Sequence, residues 1–190
     1  SYLDATDFEE VREFLEKHKP EVIIDTVGIP DYSICEKNPG LAEKINYLTA
    51  KNITEASRLI NSKVIFISSI YVFDGKEGNY SEEDETNPVN YYGQTKLEAE
   101  KLIQESGIDY IIARVCMLYG HNGNNSERSF VKWVYENLMN NKPINVFTDH
   151  IGTPTLIDDV AQAIITLIKK ETKAKTKIST FKFSIALHKN

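Results

Sequence analysis

The sequence predicts an α/β fold, a doubly wound parallel sheet, and three observations support this prediction. Apolar runs of strand length alternate with longer helical patterns along the chain. Three of these runs are almost continuously apolar where they begin, which is typical of strands buried on both faces. The chain has 190 residues, of which 41% are hydrophobic and 26% charged, so it can bury one core of ordinary size. Such alternation favours right-handed crossovers between parallel strands.

Four segments are predicted to be strands. The first follows Pro20 and is rich in β-branched residues, and the last is shorter and weaker than the others. Arg114 lies inside the third strand, so it needs a charge partner if it is buried. The four segments are residues 21–28 (EVIIDTVG), 63–73 (KVIFISSIYVF), 109–120 (DYIIARVCMLYG) and 143–149 (PINVFTD).

Five helices are predicted around these strands. The first has Asp7 as its N-cap, with acidic residues in its first turn and basic residues in its last, as the helix dipole favours. The fourth carries an apolar stripe that includes Phe130 and Trp133, which predicts that this face packs against the core or a lobe. The helices cover residues 7–18, 38–60, 90–106, 126–141 and 156–170.

The two ends of the chain differ from those of a complete dinucleotide-binding fold. Such a fold opens with a strand, a glycine-rich turn and a helix, and no G-x-G-x-x-G motif occurs here. Either the fold is of another kind, or its first βαβ unit is missing from the 190 residues. Near the other end, KKETKAKTK indicates a solvated basic stretch. Residues 178–190 then predict a short amphipathic helix capped by Ser179, with no strand before it.

Composition argues against several classes of function. The net charge of −6 disfavours a nucleic-acid-binding surface, which is normally basic. No apolar run approaches the roughly 18 residues of a membrane span, and the first ten residues do not have the pattern of a signal peptide. Cys35 and Cys116 form neither a metal motif nor a disulfide framework, so we expect no metal and a cytoplasmic location.

Two serines interrupt the second predicted strand near its carboxyl end. Ligands of parallel sheets bind at this end of the strands, so Ser68 and Ser69 are candidates for a binding site. The alternative is that both hydroxyl groups form hydrogen bonds with nearby backbone. Other candidate site residues along the chain are needed to decide between the two interpretations.

The third predicted helix begins with the segment NYYGQTK, in which Tyr92 and Lys96 are four residues apart and share a face. A free tyrosine has a pKa of about 10, and a nearby ammonium group favours the phenolate and lowers that pKa. Tyr47 and Lys51 have the same spacing, but Tyr47 lies inside an apolar helical pattern that indicates packing. Tyr92 instead follows the loop after Ser69, at the start of a helix, which suits an active site.

Together, SSIYVFDG, Tyr92 and Lys96 resemble the Ser–Tyr–Lys set of the extended short-chain dehydrogenase/reductase family, and within it the dTDP-4-dehydrorhamnose reductase group. LDATD, VIIDTVGIPDYSICEKNPGLAEKIN, ARVCMLYG and TDHIGTPTLIDDVAQAI resemble further segments of that group. The resemblance implies a partial, Rossmann-like NAD(P)-binding domain over residues 1–190. In it the first βαβ unit with the glycine-rich loop is missing, and residues from about 120 to 190 contribute a small, incomplete substrate lobe.

The resemblance implies roles for particular residues. Tyr92 would donate a proton to a sugar keto oxygen, Lys96 would lower the Tyr92 pKa and bind the nicotinamide ribose, and Ser69 would hold the reacting oxygen. Asn46 would help to position Lys96 through water. The implied cofactor contacts are Asp4, Ala5, Gly28, Ile29, Pro30, Asn46, Tyr92 and Lys96, and the implied substrate contacts are Ser69, Ile70, Met117, Gly152, Pro154 and Thr155.

By the same resemblance the protein is an NAD(P)-dependent oxidoreductase, with NADP or NAD as cofactor and a nucleotide-linked sugar as substrate. A homodimer is also allowed. Two departures from the reductase group are that Ile70 replaces an aspartate and Met117 stands where tryptophan is common. An epimerase or dehydratase with the same three residues is therefore an alternative, as is a non-catalytic regulatory subunit on the same fold.

Overall fold

The computed structural model describes residues 3–120, 130–146, 152–170 and 176–180. In these residues the main sheet has four strands in the order β1-β2-β3-β6, and both β1–β2 and β3–β6 are parallel pairs. Its strands are β1 (Val22–Asp25), β2 (Lys63–Ser69), β3 (Tyr110–Val115) and β6 (Thr176–Thr180). A separate two-stranded parallel sheet joins β4 (Leu118–Tyr119) to β5 (Thr155–Leu156). The predicted α/β parallel sheet is thereby confirmed.

One sequence prediction about strands is wrong, and another does not hold in its described part. Residues 176–180 form β6, whose Cα partners run from Tyr110 to Arg114, so the predicted helix capped by Ser179 does not begin there and a strand does precede residue 181. Pairing with a buried neighbour overrides the polar composition of this segment. The weak candidate at residues 143–149 has no strand over 143–146, and its remainder lies outside the described residues, as do residues 181–190.

The helices of the structure follow the predicted pattern with one subdivision. The predicted helix at 38–60 divides into α3, a π-helical segment and α4, and a short α2 precedes it. The helical elements are α1 (Phe8–His18), α2 (Tyr32–Lys37), α3 (Pro39–Ala42), the π segment (Glu43–Leu48), α4 (Thr49–Ile60), α5 (Tyr91–Glu105), α6 (Phe130–Met139) and α7 (Ile157–Lys170). None of these helices is long and apolar enough to cross a membrane.

The core of the main sheet lies against α1, α4 and α5. Val64 and Phe66 are two residues apart on β2 and therefore point to the same face. Val64 packs against Val11 and Leu15 of α1 and against α4. Phe66 packs against Ala50, Ala99 and Ile103 of α4 and α5. This face of the sheet fixes α5, the helix that carries Tyr92 and Lys96.

The chain divides into two compact units, one formed by residues 1–114 with 174–180 and the other by residues 115–173 with 181–190. The second unit contains α6, none of whose described residues is buried. Phe130 and Trp133 of this helix are 48% and 40% exposed, so the predicted packing of the apolar stripe is wrong for the described residues.

Candidate active site

The first turn of α5 lies directly against the segment that follows β2. Asn90 caps the helix, because its side-chain oxygen accepts a hydrogen bond of 2.8 Å from the Gly93 N–H. A Cβ atom at Gly93 would lie only 2.1 Å from the backbone oxygen of Tyr71. No side chain fits between the two backbones, so glycine at this position lets α5 bring Tyr92 close to Ser69.

Ser69 ends β2 and begins a single 3₁₀ turn over Ile70–Val72. Its hydroxyl oxygen accepts a hydrogen bond of 3.3 Å from the Tyr71 N–H, and the same side chain lies close enough to the Tyr92 phenol to influence its pKa. The neighbouring Ser68 points to the other face, where its hydroxyl donates to Glu100. The backbone alternative is therefore wrong for Ser68, whereas Ser69 has a backbone partner and also lies beside Tyr92 of the predicted site.

Tyr92 is 8% exposed and packs in a small cluster with Cys35 and Ala42. The ring of Tyr71 meets it edge-on, with centroids 5.8 Å apart. Burial raises the pKa of Tyr92, and the nearby Ser69 side chain opposes this change by favouring the phenolate. The net direction is upward, so Tyr92 is a neutral phenol at pH 7. That is the protonation state that a proton donor requires.

Lys96 lies one turn further along α5 and is 4% exposed. Its Nζ atom stands 4.3 Å from the centroid of the Phe66 ring, a cation–π contact. Burial lowers the pKa of Lys96 to about 8, against the attraction of Asp25 and Glu100, which favours the ammonium. The predicted effect of Lys96 on the Tyr92 pKa stays a prediction, since burial is the largest influence on that phenol here.

The loop after β1 carries the predicted cofactor contacts Gly28, Ile29 and Pro30. Asn46 of the π segment holds this loop: its side-chain oxygen accepts from the Ile29 N–H at 2.7 Å, and its amide nitrogen lies 3.4 Å from the Ile29 oxygen. The same amide donates to the Thr95 hydroxyl on α5 at 3.2 Å. Asn46 therefore ties the loop to the helix that carries Tyr92 and Lys96.

Gly28 brings the loop backbone close to the side chains at this junction. A Cβ atom there would lie 3.2 Å from the Asn46 side-chain oxygen and 3.6 Å from Lys96 Nζ. A glycine next to a lysine ammonium suits a ligand that approaches the backbone closely. The loop, Lys96 and Tyr92 thus fit the nicotinamide ribose end of a dinucleotide, as the resemblance implies.

Asp4 and Ala5 lie on the loop before α1. The Asp4 carboxylate accepts hydrogen bonds from the Thr6 N–H at 2.9 Å and the Thr6 hydroxyl at 2.8 Å. These bonds, the one from the backbone first, lower the pKa of Asp4. The Ala5 oxygen accepts from the Asn52 side chain on α4 at 3.1 Å. Their role as adenine contacts stays a prediction.

The remaining predicted substrate contacts lie in the second unit, around the β4–β5 pair. Met117 has a positive φ of 39°, and its sulfur would lie 2.6 Å from a Cβ at Gly152. The Met117 oxygen accepts a hydrogen bond of 3.3 Å from the Thr155 N–H. Thr155 is fully buried, and Pro154 precedes it. The structure thus groups Met117, Gly152, Pro154 and Thr155 within this unit.

Sequence reasoning missed two buried acidic residues near the site. Glu100 is 1% exposed and forms a two-pronged salt bridge with Arg114, at 2.6 Å between Nη2 and Oε2. This pair confirms the prediction that Arg114 has a partner. Asp25, at the end of β1, is 2% exposed. The sequence contains one indication for each of these two residues. Asp25 is a lone carboxylate in the apolar run VIIDTVG, and Glu100 follows Lys96 by four residues.

Comparisons with known proteins identify the family. A sequence profile described as the RmlD substrate binding domain matches residues 1–187. The dTDP-4-dehydrorhamnose reductase of Aggregatibacter actinomycetemcomitans is 33% identical over 171 residues, which are 90% of this chain and 57% of that protein. The methionine adenosyltransferase 2 subunit beta of Rattus norvegicus is 31% identical over 183 residues, which are 96% of this chain and 54% of that protein.

A solved structure agrees with the sequence matches. The dTDP-4-dehydrorhamnose reductase of Bacillus anthracis str. Ames, in complex with NADP, superimposes with a TM-score of 0.84 at 32% identity and covers 95% of this chain and 63% of that one. The chain spans about half the length of the curated relatives that it matches. It belongs to the RmlD substrate binding domain family, within the extended short-chain dehydrogenases/reductases.

Proposed function

We propose that this protein reduces a keto group on a nucleotide-linked sugar with NADPH or NADH, in the manner of a dTDP-4-dehydrorhamnose reductase. One observation carries the proposal: Tyr92 is a buried neutral phenol that lies beside Ser69 and one helical turn from Lys96. A proton donor, a second hydroxyl and a cation in one place are what the reduction of a carbonyl group needs.

Four residues of the first unit have distinct roles in the proposed reaction. Ser69 orients the keto oxygen of the sugar, and Tyr92 donates its phenolic proton to that oxygen. Lys96 is an ammonium below its pKa of about 8, so it holds the ribose hydroxyls and stabilises the phenolate left behind. Asn46 keeps the Gly28 loop in contact with α5. The bound nicotinamide supplies the hydride.

The finer parts of the proposal rest on the resemblance. Ile70, Met117, Gly152, Pro154 and Thr155 are assigned to the sugar nucleotide. Ile70 brings no carboxylate to the substrate, which favours a sugar other than the one that the rhamnose-type enzymes reduce. A homodimer and a cytoplasmic location complete the proposal, and the free, buried thiols of both cysteines support the location.

The proposal is tested by a Tyr92→Phe variant of the full-length protein. Loss of the phenolic proton should lower turnover of a 4-keto nucleotide sugar by about 10²–10⁴-fold, while NADPH binding, followed by its fluorescence, persists. Tyr47→Phe is the matched control, because Tyr47 has the same spacing to a lysine, and it should keep full turnover. Unchanged turnover in Tyr92→Phe would overturn the mechanism.

A second candidate function is that of a non-catalytic regulatory subunit. It is favoured by the 31% identity to a methionine adenosyltransferase subunit beta over 96% of this chain. Here the wild type would bind NADPH without reducing any nucleotide sugar, and it would change the activity of a partner enzyme. An epimerase or dehydratase is distinguished by its products, since neither consumes NADPH over a complete turnover.

A further inference from the structure

Asp25 places a buried carboxylate at the floor of the site. It is the last residue of β1 and is 2% exposed. Its Oδ1 atom accepts a hydrogen bond of 2.9 Å from the Val27 N–H, which fixes the side chain at the start of the Gly28 loop. Its Oδ2 atom is buried and has no hydrogen-bond partner among the described residues. A buried carboxylate oxygen without a partner is costly, so an opposite charge nearby is expected.

The strand register directs Asp25 toward Lys96. Asp25 and Phe66 are Cα partners in the parallel β1–β2 pair, so their side chains point to the same face of the sheet. The Phe66 ring lies beneath Lys96 Nζ at 4.3 Å. Gly28, three residues after Asp25, approaches the same Nζ, with 3.6 Å between that atom and a Cβ built on the glycine. Asp25 therefore lies on the same face of the sheet as Phe66, whose ring contacts the Lys96 ammonium, and its charge attracts that ammonium group.

The other acidic residue near Lys96 is already engaged. Both carboxylate oxygens of Glu100 accept hydrogen bonds from Arg114, at 3.0 Å from Nε to Oε1 and 2.6 Å from Nη2 to Oε2. Ser68 donates a further hydrogen bond to Oε1. The charge of Glu100 is thus largely compensated by Arg114. Asp25 is the carboxylate that retains a free oxygen.

We propose that Asp25 is a positioning residue of the site: its buried carboxylate is the charge partner that keeps Lys96 an ammonium. This inference rests on the proposed function, because Lys96 serves the reduction only while it carries its proton. The titratable groups that face Lys96 and Tyr92 are Asp25 on β1, Glu100 on α5, Cys35 on α2 and Tyr71 in the 3₁₀ turn. Of these, Asp25 acts most directly on Lys96.

Two opposing influences on the Lys96 pKa determine how it should change when Asp25 loses its charge. Burial lowers the pKa of Lys96 to about 8, and attraction by Asp25 is the first influence that opposes it. Removal of the negative charge should therefore lower the Lys96 pKa further. At neutral pH a larger fraction of the variant would then carry a neutral amine, which can neither attract the phenolate nor donate three hydrogen bonds.

The test is NMR titration of full-length protein labelled with ¹³C at the lysine ε-carbons. The Lys96 resonance is identified by its loss in Lys96→Met. Wild type should titrate near pH 8, and Asp25→Asn should lower the midpoint by about one pH unit. Asp109→Asn, the same chemical change at an exposed position before β3, should leave the midpoint unchanged. An unchanged or higher midpoint in Asp25→Asn would overturn the inference.

A reciprocal measurement covers the case in which Asp25→Asn does not fold. With ¹³C at the aspartate carboxyls, the Asp25 midpoint should rise in Lys96→Met, since coupled groups shift each other. A midpoint that does not rise would also overturn the inference. Turnover is a separate readout: a shifted Lys96 midpoint without reduction of any sugar would overturn the proposed function alone. Tyr92-dependent turnover without a shifted midpoint would overturn the role of Asp25 alone.

Discussion

The chain contains the spacing Tyr-x-x-x-Lys-x-x-x-Glu twice, in two regions with opposite surroundings. The first triplet consists of Tyr47, Lys51 and Glu55, and the second of Tyr92, Lys96 and Glu100. In the first, the Lys51 and Glu55 side chains are 41% and 49% exposed and their charges lie 3.9 Å apart. In the second, all three residues are buried, and each contacts another element of the first unit.

The difference shows what turns a helical spacing into a site. A helix fixes only which residues share a face. The second triplet gains its chemistry from neighbours that are distant in sequence: Ser69 for the tyrosine, Asp25 and Phe66 for the lysine, and Arg114 for the glutamate. The first triplet has no such set among its described contacts. Variants made in pairs, one at each triplet, test this reading.

The largest difference is expected between the two glutamates. Glu100→Gln leaves the buried Arg114 without an opposite charge, so the free energy of unfolding should fall by about 3–5 kcal/mol. Glu55→Gln breaks only an exposed pair and should cost less than about 1 kcal/mol. Urea denaturation of both variants measures the difference. Equal losses would show that burial does not distinguish the two triplets.

A double variant sharpens this result. Arg114→Met removes the charge that Glu100→Gln leaves unpaired, so the double variant should recover part of the lost stability. Purely additive losses would mean that the two residues act through packing rather than through their ion pair. A corresponding double variant of Glu55 and Lys51 should recover little stability, because Glu55→Gln alone loses little.

The two lysines should differ in the pH dependence of stability. The pKa of Lys96 is lowered from 10.5 to about 8 in the folded protein, so between these values the unfolded chain binds more protons. Folding of the wild type should therefore become more favourable as pH rises from about 8 to 10.5, by about 3 kcal/mol relative to Lys96→Met. Below pH 8 Lys96 is protonated in both the folded and the unfolded state. The difference in free energy of unfolding between wild type and Lys96→Met should therefore not change with pH there.

Lys51→Met is the control for this titration, since it also removes one ammonium group, from an exposed position. Subtraction of each variant from wild type cancels the other groups that ionise at alkaline pH. Denaturation at several pH values from 7 to 10.5 gives the curves. A Lys96→Met curve that stays parallel to wild type would contradict the lowered pKa of the buried Lys96.

Much of this site is predictable from sequence, and the rest fails for physical reasons. Ser69, Tyr92 and Lys96 could be proposed from the sequence because strand ends and helix spacing are local patterns, and their roles stay predictions. Asp25 and Glu100 were missed because their importance depends on partners that the sheet register brings together. The π segment around Asn46 was also missed, since one extra residue per turn leaves a helical pattern almost unchanged.

Two segments of the fold show the same limit of prediction from sequence. Strands with apolar, β-branched sequences were predicted, whereas β6 was not, because its sequence TKIST spans the end of the predicted solvated stretch and the start of the predicted helix. Its strand state is decided by pairing with β3. Conversely, PINVFTD has a strand-like composition but forms no strand in its described part. Tertiary pairing overrides local propensity in β6.

The smallest expected difference concerns two helical glycines, and it bears on how the second triplet is placed. Gly93 follows Tyr92, and a Cβ there would overlap the Tyr71 backbone oxygen at 2.1 Å, whereas a Cβ at Gly40 in α3 would meet nothing within 4 Å. Gly93→Ala should therefore lower the free energy of unfolding by about 1–3 kcal/mol through overpacking. Gly40→Ala should raise it by about 0.5–1 kcal/mol.

Measurements of kcat for Gly93→Ala and Gly40→Ala distinguish an effect on the position of Tyr92 from an effect on stability. Because Tyr71 cannot yield without moving the 3₁₀ turn, Gly93→Ala should push α5 away from Ser69 and lower kcat even where the variant is fully folded. Gly40→Ala should leave kcat unchanged, although it gains stability. If Gly93→Ala kept wild-type kcat, close contact between the two backbones would not be what positions Tyr92. The second triplet would then owe its chemistry to burial alone.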